Sequence, residues 1–202
     1  MGGGIYRKGK IVWNMEMGNN EVGIRKAQPE DAGFIALVVA MALGGNEEHW
    51  LYGVFKELAG RGHSQYSYRN VLIAHIGGKP AGAIVGYDGA RLQELREPIF
   101  ELVRQNTGKV IEIEDETAAG EFYIDSLAVL PEYRGCGVGR MLLCAMRDMA
   151  VEAGYERVGL IVDFENPRAE ALYTSLGFSR VGEKSFLGHP MWHLQYTAGC
   201  RR

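Results

Sequence analysis

Residues 22–27 alternate apolar and polar side chains, the two-residue period of a half-buried strand. The period then turns helical. Pro29-Glu30-Asp31 opens that stretch, with proline pre-set for a first turn and two acids near the positive end of the dipole. The helix is expected to run to Leu43, where Gly44-Gly45 stops it. Trp50, Val54, Phe55 and Leu58 recur at helical spacing and predict a second helix over 47–59. Residues 71–76 and 81–87, joined by Gly77-Gly78-Lys79-Pro80, read as a hairpin.

Residues 88–120 do not fit a tight connection. Positions 91–106 pattern as a helix, interrupted or restarted at Pro98. Residues 112–116 carry four acids (Glu112, Glu114, Asp115, Glu116), and Glu121 follows. Two readings stand: a solvated connector, or an acidic wall that draws a cationic substrate. The near-continuous apolar run 121–129 (EFYIDSLAV) predicts a central strand covered on both faces. A helix over 137–153 follows, striped by Val138, Leu142, Ala145, Met149 and Ala153 and closed by Gly154. Then come a strand at 157–163, a helix at 167–176 stopped by Gly177, and strands at 180–186 and 190–197.

Strands before and after the central helix predict an α/β (α+β) fold, a mixed central sheet of about six to seven strands flanked by helices. Residues 1–20 read as a flexible arm or an added strand, and 21–198 as a single domain with a helical, acidic insertion at 88–120.

Composition narrows the function classes. The chain has 202 residues, 47% of them hydrophobic, enough for one good core. A net charge of −3 provides no basic field, so nucleic-acid binding is not expected. The apolar run 32–43 is well short of the roughly 20 residues a membrane span needs. No secretory pattern opens the chain, and Tyr6 breaks the acylation pattern begun by Met1-Gly2. Three cysteines, Cys136, Cys144 and Cys200, make no disulfide framework and fit a reduced, cytoplasmic setting. His49, His63 and His75 lie in no ligand spacing, so no metal is expected.

The chemistry concentrates in Arg134-Gly135-Cys136-Gly137-Val138-Gly139-Arg140, between a strand and a helix. Glycines at a helix entrance let main-chain N–H groups approach a phosphate. The dinucleotide spacing fails, because the sixth position from Gly135 is Arg140. The nucleotide-triphosphate loop fails too, since Arg140-Met141-Leu142 stands where Gly-Lys-Ser/Thr is needed. What remains, Arg134-x-x-Gly137-x-Gly139 after Leu130-Pro131-Glu132-Tyr133, resembles the acetyl-coenzyme A signature of the GNAT N-acetyltransferase family. A second block, from Asn166-Pro167 to Leu172-Tyr173 and Leu176-Gly177-Phe178, resembles that family's asparagine-to-tyrosine helix. The order of elements over 22–197 matches as well.

The resemblance implies an acetyl-CoA-dependent N-acetyltransferase in which a primary amine attacks the thioester directly in a ternary complex. The N–H groups of 134–140 would take the coenzyme's pyrophosphate, with Arg134 and Arg140 adding charge. The main chain of Leu127, Ala128 and Val129 would pair with pantetheine across a splayed strand, one N–H holding the oxyanion. Asn166 would contact coenzyme while capping its helix, and Tyr173 would protonate the departing thiolate. Asp125 is the most suggestive base, because aspartate is disfavoured inside a strand and this one shares parity with Tyr123, Leu127 and Val129. A structural hydrogen-bond acceptor reads equally well there. Glu121 could reach the acceptor from the strand's start, and His189 and His193 are further candidates, though a lone histidine is more often structural. Cys136 is read as a small loop residue, since the family has no acyl-cysteine step.

The acceptor is a small-molecule or peptide amine, unnamed by the sequence; no membrane or nucleic-acid partner is expected. The apolar first helix and the C-terminal strands offer a face for a homodimer without fixing one. The rival reading is a non-catalytic acyl-CoA-binding or regulatory module on the same fold.

Overall fold

A computed structural model describes residues 5–7, 10–12, 15–17 and 20–199. Met1, Gly2 and Cys200, on which the acylation and thiol expectations partly rest, lie outside them. The chain forms two compact units, Met1–Val85 with Ser126–Met146, and Gly86–Asp125 with Arg147–Arg202.

The first unit begins with strands β1 (Ile5–Arg7) and β2 (Lys10–Val12), an antiparallel pair. β3 (Met15–Met17) pairs with β4 (Asn20–Lys26), and β4 with β5 (Val71–Ile76), which pairs with β6 (Lys79–Asp88), all antiparallel. Between β4 and β5 lie helices α1 (Ala32–Ala42) and α2 (Tyr52–Gly60). Arg25 clamps the entrance of α1 through its ion pair with Asp31 at 2.7 Å, and the Asp31 carboxylate accepts from the Gln28 N–H. Ile35, Val38 and Val39 of α1 are fully buried, each contributing roughly 1.5–3 kcal/mol.

The second helix starts five residues later than its spacing predicts, at Tyr52 instead of position 47. The Asn46 side chain accepts from the Glu48 N–H at 2.9 Å, and His49 Nδ1 from the Leu51 N–H at 3.2 Å. Both side chains take up donors in local turns that compete with a helix. Trp50 therefore leaves the apolar stripe and is 60% exposed.

In the second unit, α3 (Leu92–Thr107) runs through Pro98 without a break. The turn four residues back, at Glu94, is exposed, so losing one helical bond there is tolerable. β7 (Phe122–Val129) crosses from this unit into the first, and α4 (Val138–Glu152) crosses the other way. β8 (Arg157–Asp163) lies parallel to the start of β7, then α5 (Pro167–Ser175), β9 (Ser179–Phe186) and β10 (His189–Thr197) follow. β10 pairs antiparallel with both β8 and β9.

The strand order β3-β4-β5-β6-β7-β8-β10-β9 makes a mixed sheet: seven longer strands plus three-residue β3, the α/β class expected. Burial of β7 differs from expectation. Phe122, Tyr123 and Ile124 are buried, but Leu127, Ala128 and Val129 are only half-buried, so the strand opens toward its C-terminal end. Among the described residues, no helix is long and apolar enough to cross a membrane.

A Cβ on Gly82 of β6 would stand 2.8 Å from the Ala128 carbonyl oxygen and 3.2 Å from the Val129 Cα, both main chain. Gly82→Ala is expected to lose roughly 1–3 kcal/mol of stability by overpacking, read as a lower urea midpoint.

Candidate active site

After β7 the chain makes a short helical turn, Pro131–Tyr133, and Arg134 is extended. Gly135 (φ 78°) and Gly137 (φ 76°) are left-handed, a backbone that strains any side chain. Among the described residues, no atom beyond the adjoining ones lies within 4 Å of where a Cβ on either would sit. α4 begins at Val138, so this bare, open main chain leads directly to a helix N-terminus, whose first N–H groups lack helical partners. The geometry fits a diphosphate: unhindered donors at the positive end of a dipole. Cys136 is a half-buried thiol and Arg140 is exposed. Arg134 folds back, its Nε donating to the Val129 carbonyl at 3.1 Å. Beside this turn lies a cavity of about 650 Å³, with Leu37 and Met41 of α1, Glu47, Leu130 and Arg134 in its wall.

In the second unit, β7 and β8 form two registered pairs, Phe122↔Val158 and Tyr123↔Gly159, and among the described residues the ladder ends there. Glu121 sits just before it. Its side chain is 5% exposed and lies over Gly159, where a Cβ would collide with the Glu121 carboxylate. Thr117 Oγ1 donates to Oε1 at 2.6 Å, Gln195 Nε2 donates to Oε2 at 2.6 Å, and His193 Nε2 lies 3.0 Å from Oε2. Burial opposes this charge, but the bonds from His193, Thr117 and Gln195 outweigh it and hold the carboxyl below its ordinary range. The expectation that Glu121 reaches an acceptor from the strand's start meets a carboxylate sealed in by its own donors.

Asp125, two positions beyond the last registered pair, is half-buried, and the Tyr87 hydroxyl donates to its Oδ2 at 2.9 Å. The same hydroxyl lies 3.3 Å from Glu116 Oε1. Glu116 is ion-paired with Arg96 of α3, both side chains 2% exposed. Burial opposes the Arg96 charge, yet Glu116 offsets it and leaves the guanidinium pKa raised. Arg96 Nη1 also donates to the carbonyls of Ile113 and Glu114 at 3.2 and 3.3 Å. Glu114 in turn accepts the Leu187 N–H at 3.0 Å. Three acids of the 112–116 run thus hold the connector in place: Glu114, Asp115 (3.2 Å from Arg96) and Glu116.

Asn166 caps α5, its Oδ1 accepting the Ala169 N–H at 3.1 Å. Tyr173, two turns on, packs toward Phe178 with ring centroids 6.3 Å apart. Burial pushes its phenol up to about 12, so the hydroxyl is protonated at neutral pH. His189 lies at the turn side of β10, 3.5 Å from Asp163. Sequence reading overlooked Tyr87, Arg96, Thr117 and Gln195. Only β parity carried a signal, since Gln195 and His193 share a face, and it gives no cross-strand partner.

The description "Acetyltransferase (GNAT) family" belongs to the family model that matches residues 36–178. A solved structure titled as an acetyltransferase is 32% identical, with a TM-score of 0.73 over 86% of this chain and 98% of that one. N-alpha-acetyltransferase RimI of Mycobacterium tuberculosis is 35% identical over 54% of this chain and 53% of its own. A mycothiol acetyltransferase of Beutenbergia cavernae is 40% identical over 37% of this chain and 25% of its own. The matched span is thus a quarter to about half the length of these curated relatives.

The lowered Glu121 carboxyl stabilises the fold above its unfolded pKa, about 4.3, and that contribution is lost as pH falls through the lower folded value. Urea titrations from pH 7 down to about pH 2 are expected to show wild-type stability dropping below about pH 4.3. The drop should shrink in Glu121→Gln, which at pH 7 starts roughly 1–3 kcal/mol less stable.

Proposed function

Because the chain belongs to the acetyltransferase (GNAT) family, we propose that it transfers an acetyl group from acetyl-CoA to a primary amine in a ternary complex. The observation that carries this is the open, left-handed Gly135–Gly137 turn at the start of α4. Acetyl-CoA supplies the acyl group as an activated thioester. The N–H groups of Gly135, Cys136, Gly137, Val138 and Gly139 bind its pyrophosphate, with Arg134 and Arg140 contributing charge. The main chain of Leu127, Ala128 and Val129 orients the pantetheine arm and offers an N–H to charge developing on the acyl oxygen. Half-burial of these three residues leaves that main chain approachable.

Asn166 retains its amide N–H groups for the coenzyme while Oδ1 caps α5. Tyr173, whose hydroxyl is protonated at neutral pH, gives that proton to the departing sulfur. Asp125, held by Tyr87, is an anionic contact for the acceptor's ammonium group. The acceptor is an amine on a small molecule or a peptide. The relatives named as a mycothiol acetyltransferase and an N-alpha-acetyltransferase support this range of acceptors. The thiols of Cys136 and Cys144 fit a reduced cytoplasm.

The test is thiol release from acetyl-CoA with a panel of small primary amines, lysine and a peptide bearing a free α-amino group. Tyr173→Phe is expected to lower kcat roughly 10²–10⁴-fold while keeping the melting-temperature rise given by coenzyme A. Gly137→Val should lose that rise, because it fills the turn and strains a left-handed φ. Coenzyme binding without turnover of any amine would leave a non-catalytic acyl-CoA-binding module.

A further inference from the structure

We propose that His193 is the general base that takes a proton from the acceptor amine, and that Glu121 is its positioning residue. The inference rests on the transferase reading above and adds the residue that reading lacks.

Register places His193. Tyr123↔Gly159 is the last pair before β7 and β8 part, so Tyr123 and Gly159 point to one face, together with Glu121 and Asp125. The next position of β8 on that face is Ile161, and its partner on β10 is His193. His193 and Asp125 therefore share the face of the sheet, one step beyond the point where the strands separate. A reacting amine entering that opening meets both.

Hydrogen bonding fixes the protons on His193. An ionised carboxylate only accepts, so the 3.0 Å contact with Glu121 Oε2 requires Nε2 to carry the hydrogen. In the neutral ring the lone pair then lies on Nδ1, for which no hydrogen bond is recorded among the described residues. Glu121 is held in turn by Thr117 and Gln195, at 2.6 Å each, and cannot swing away. The imidazole side chain is 15% exposed, partly open while its partner is sealed. Asp125 already has the Tyr87 hydroxyl on one oxygen, which suits it to attract an ammonium more than to move its proton.

The step balances. An ammonium acceptor gives one proton to His193 Nδ1. The freed lone pair forms the bond to the acyl carbon while the carbon–sulfur bond breaks. The sulfur receives the Tyr173 hydroxyl proton, and the second proton lost by nitrogen restores that hydroxyl, directly or through water. His193 Nδ1 releases its proton to solvent.

The charged groups and histidines that register places on the face of His193 are Glu121, Asp125, Arg157 and Asp163 of β8, His189 of β10 (3.5 Å from Asp163), and Lys184 of β9, whose ammonium is held by the Asp115 carbonyl at 3.2 Å. The test has two arms. In the first, long-range proton–nitrogen spectra of the histidine-labelled wild type should show the neutral His193 ring protonated at Nε2. Glu121→Gln should shift that balance. In the second, His193→Gln is assayed with the fastest acceptor of the amine panel.

Its kcat/KM is expected to fall roughly 10²–10⁴-fold at neutral pH. The deficit should shrink at alkaline pH, where the amine is already neutral, and the coenzyme A melting rise should persist. A His193 ring protonated at Nδ1 overturns the assignment, and so does a His193→Gln enzyme with wild-type turnover and pH profile. So does a loss confined to Asp125→Asn. If His193→Gln fails to fold, the spectra of the wild type still decide. A wild type that binds coenzyme A and turns over no amine overturns the transferase reading itself, a result distinct from an active His193→Gln.

Discussion

A carboxylate that gives up nearly all its water is the constraint around which the second unit is arranged. Glu121 is buried over Gly159, and an isolated charge there would be untenable. Three donors from two other segments make it tenable: Thr117 of the connector, and His193 and Gln195 of β10. Each is fixed in consequence. The connector must return to the start of β7, β10 must present that face, and β8 must have no side chain at position 159. A carboxylate so held is a rigid reference point at the place where β7 leaves β8.

The first unit uses the opposite device, the removal of matter. Left-handed glycines at 135 and 137 with empty space beyond them leave main-chain donors unshielded at the start of α4. Such a turn costs conformational entropy on folding, and the well-packed α4 that follows, with Leu142, Leu143 and Met146 fully buried, offsets it. The half-burial of Leu127 to Val129 belongs to the same pattern, an apolar strand kept approachable on one side. Polar chemistry is thus exposed on one unit's backbone and buried in the other unit's side chains.

The 112–116 acids show why composition alone could not choose between a solvated connector and an acidic wall. Both readings treat the charges as facing water. Burial of Arg96 turns Glu116 inward as its partner and draws the exposed Asp115 to within 3.2 Å of the guanidinium, while Glu114 accepts the Leu187 N–H at the β9–β10 turn. An arginine on an amphipathic helix carries no sign of this in sequence, because its apolar neighbours Leu95 and Ile99 read the same whether it is covered or exposed. The late start of α2 has a similar cause: Asn46 and His49 win local donors by side-chain geometry that a count of apolar spacings ignores.

Sequence by itself determined what is local. The order of strands and helices from residue 22 onward, the glycine turn, the Asn166 cap and the pairing of Asn166 with Tyr173 on one helix all follow from neighbours a few residues apart. It also placed Asp125, Glu121 and His193 among the titratable groups worth following. Only the tertiary structure decided their states. Thr117, Gln195, Tyr87 and Arg96 come from segments four to seventy-four residues away. Whether a carboxylate is sealed, shared or open depends on those partners, since burial and hydrogen bonding are set by what crosses over it in space and not by what precedes it in the chain.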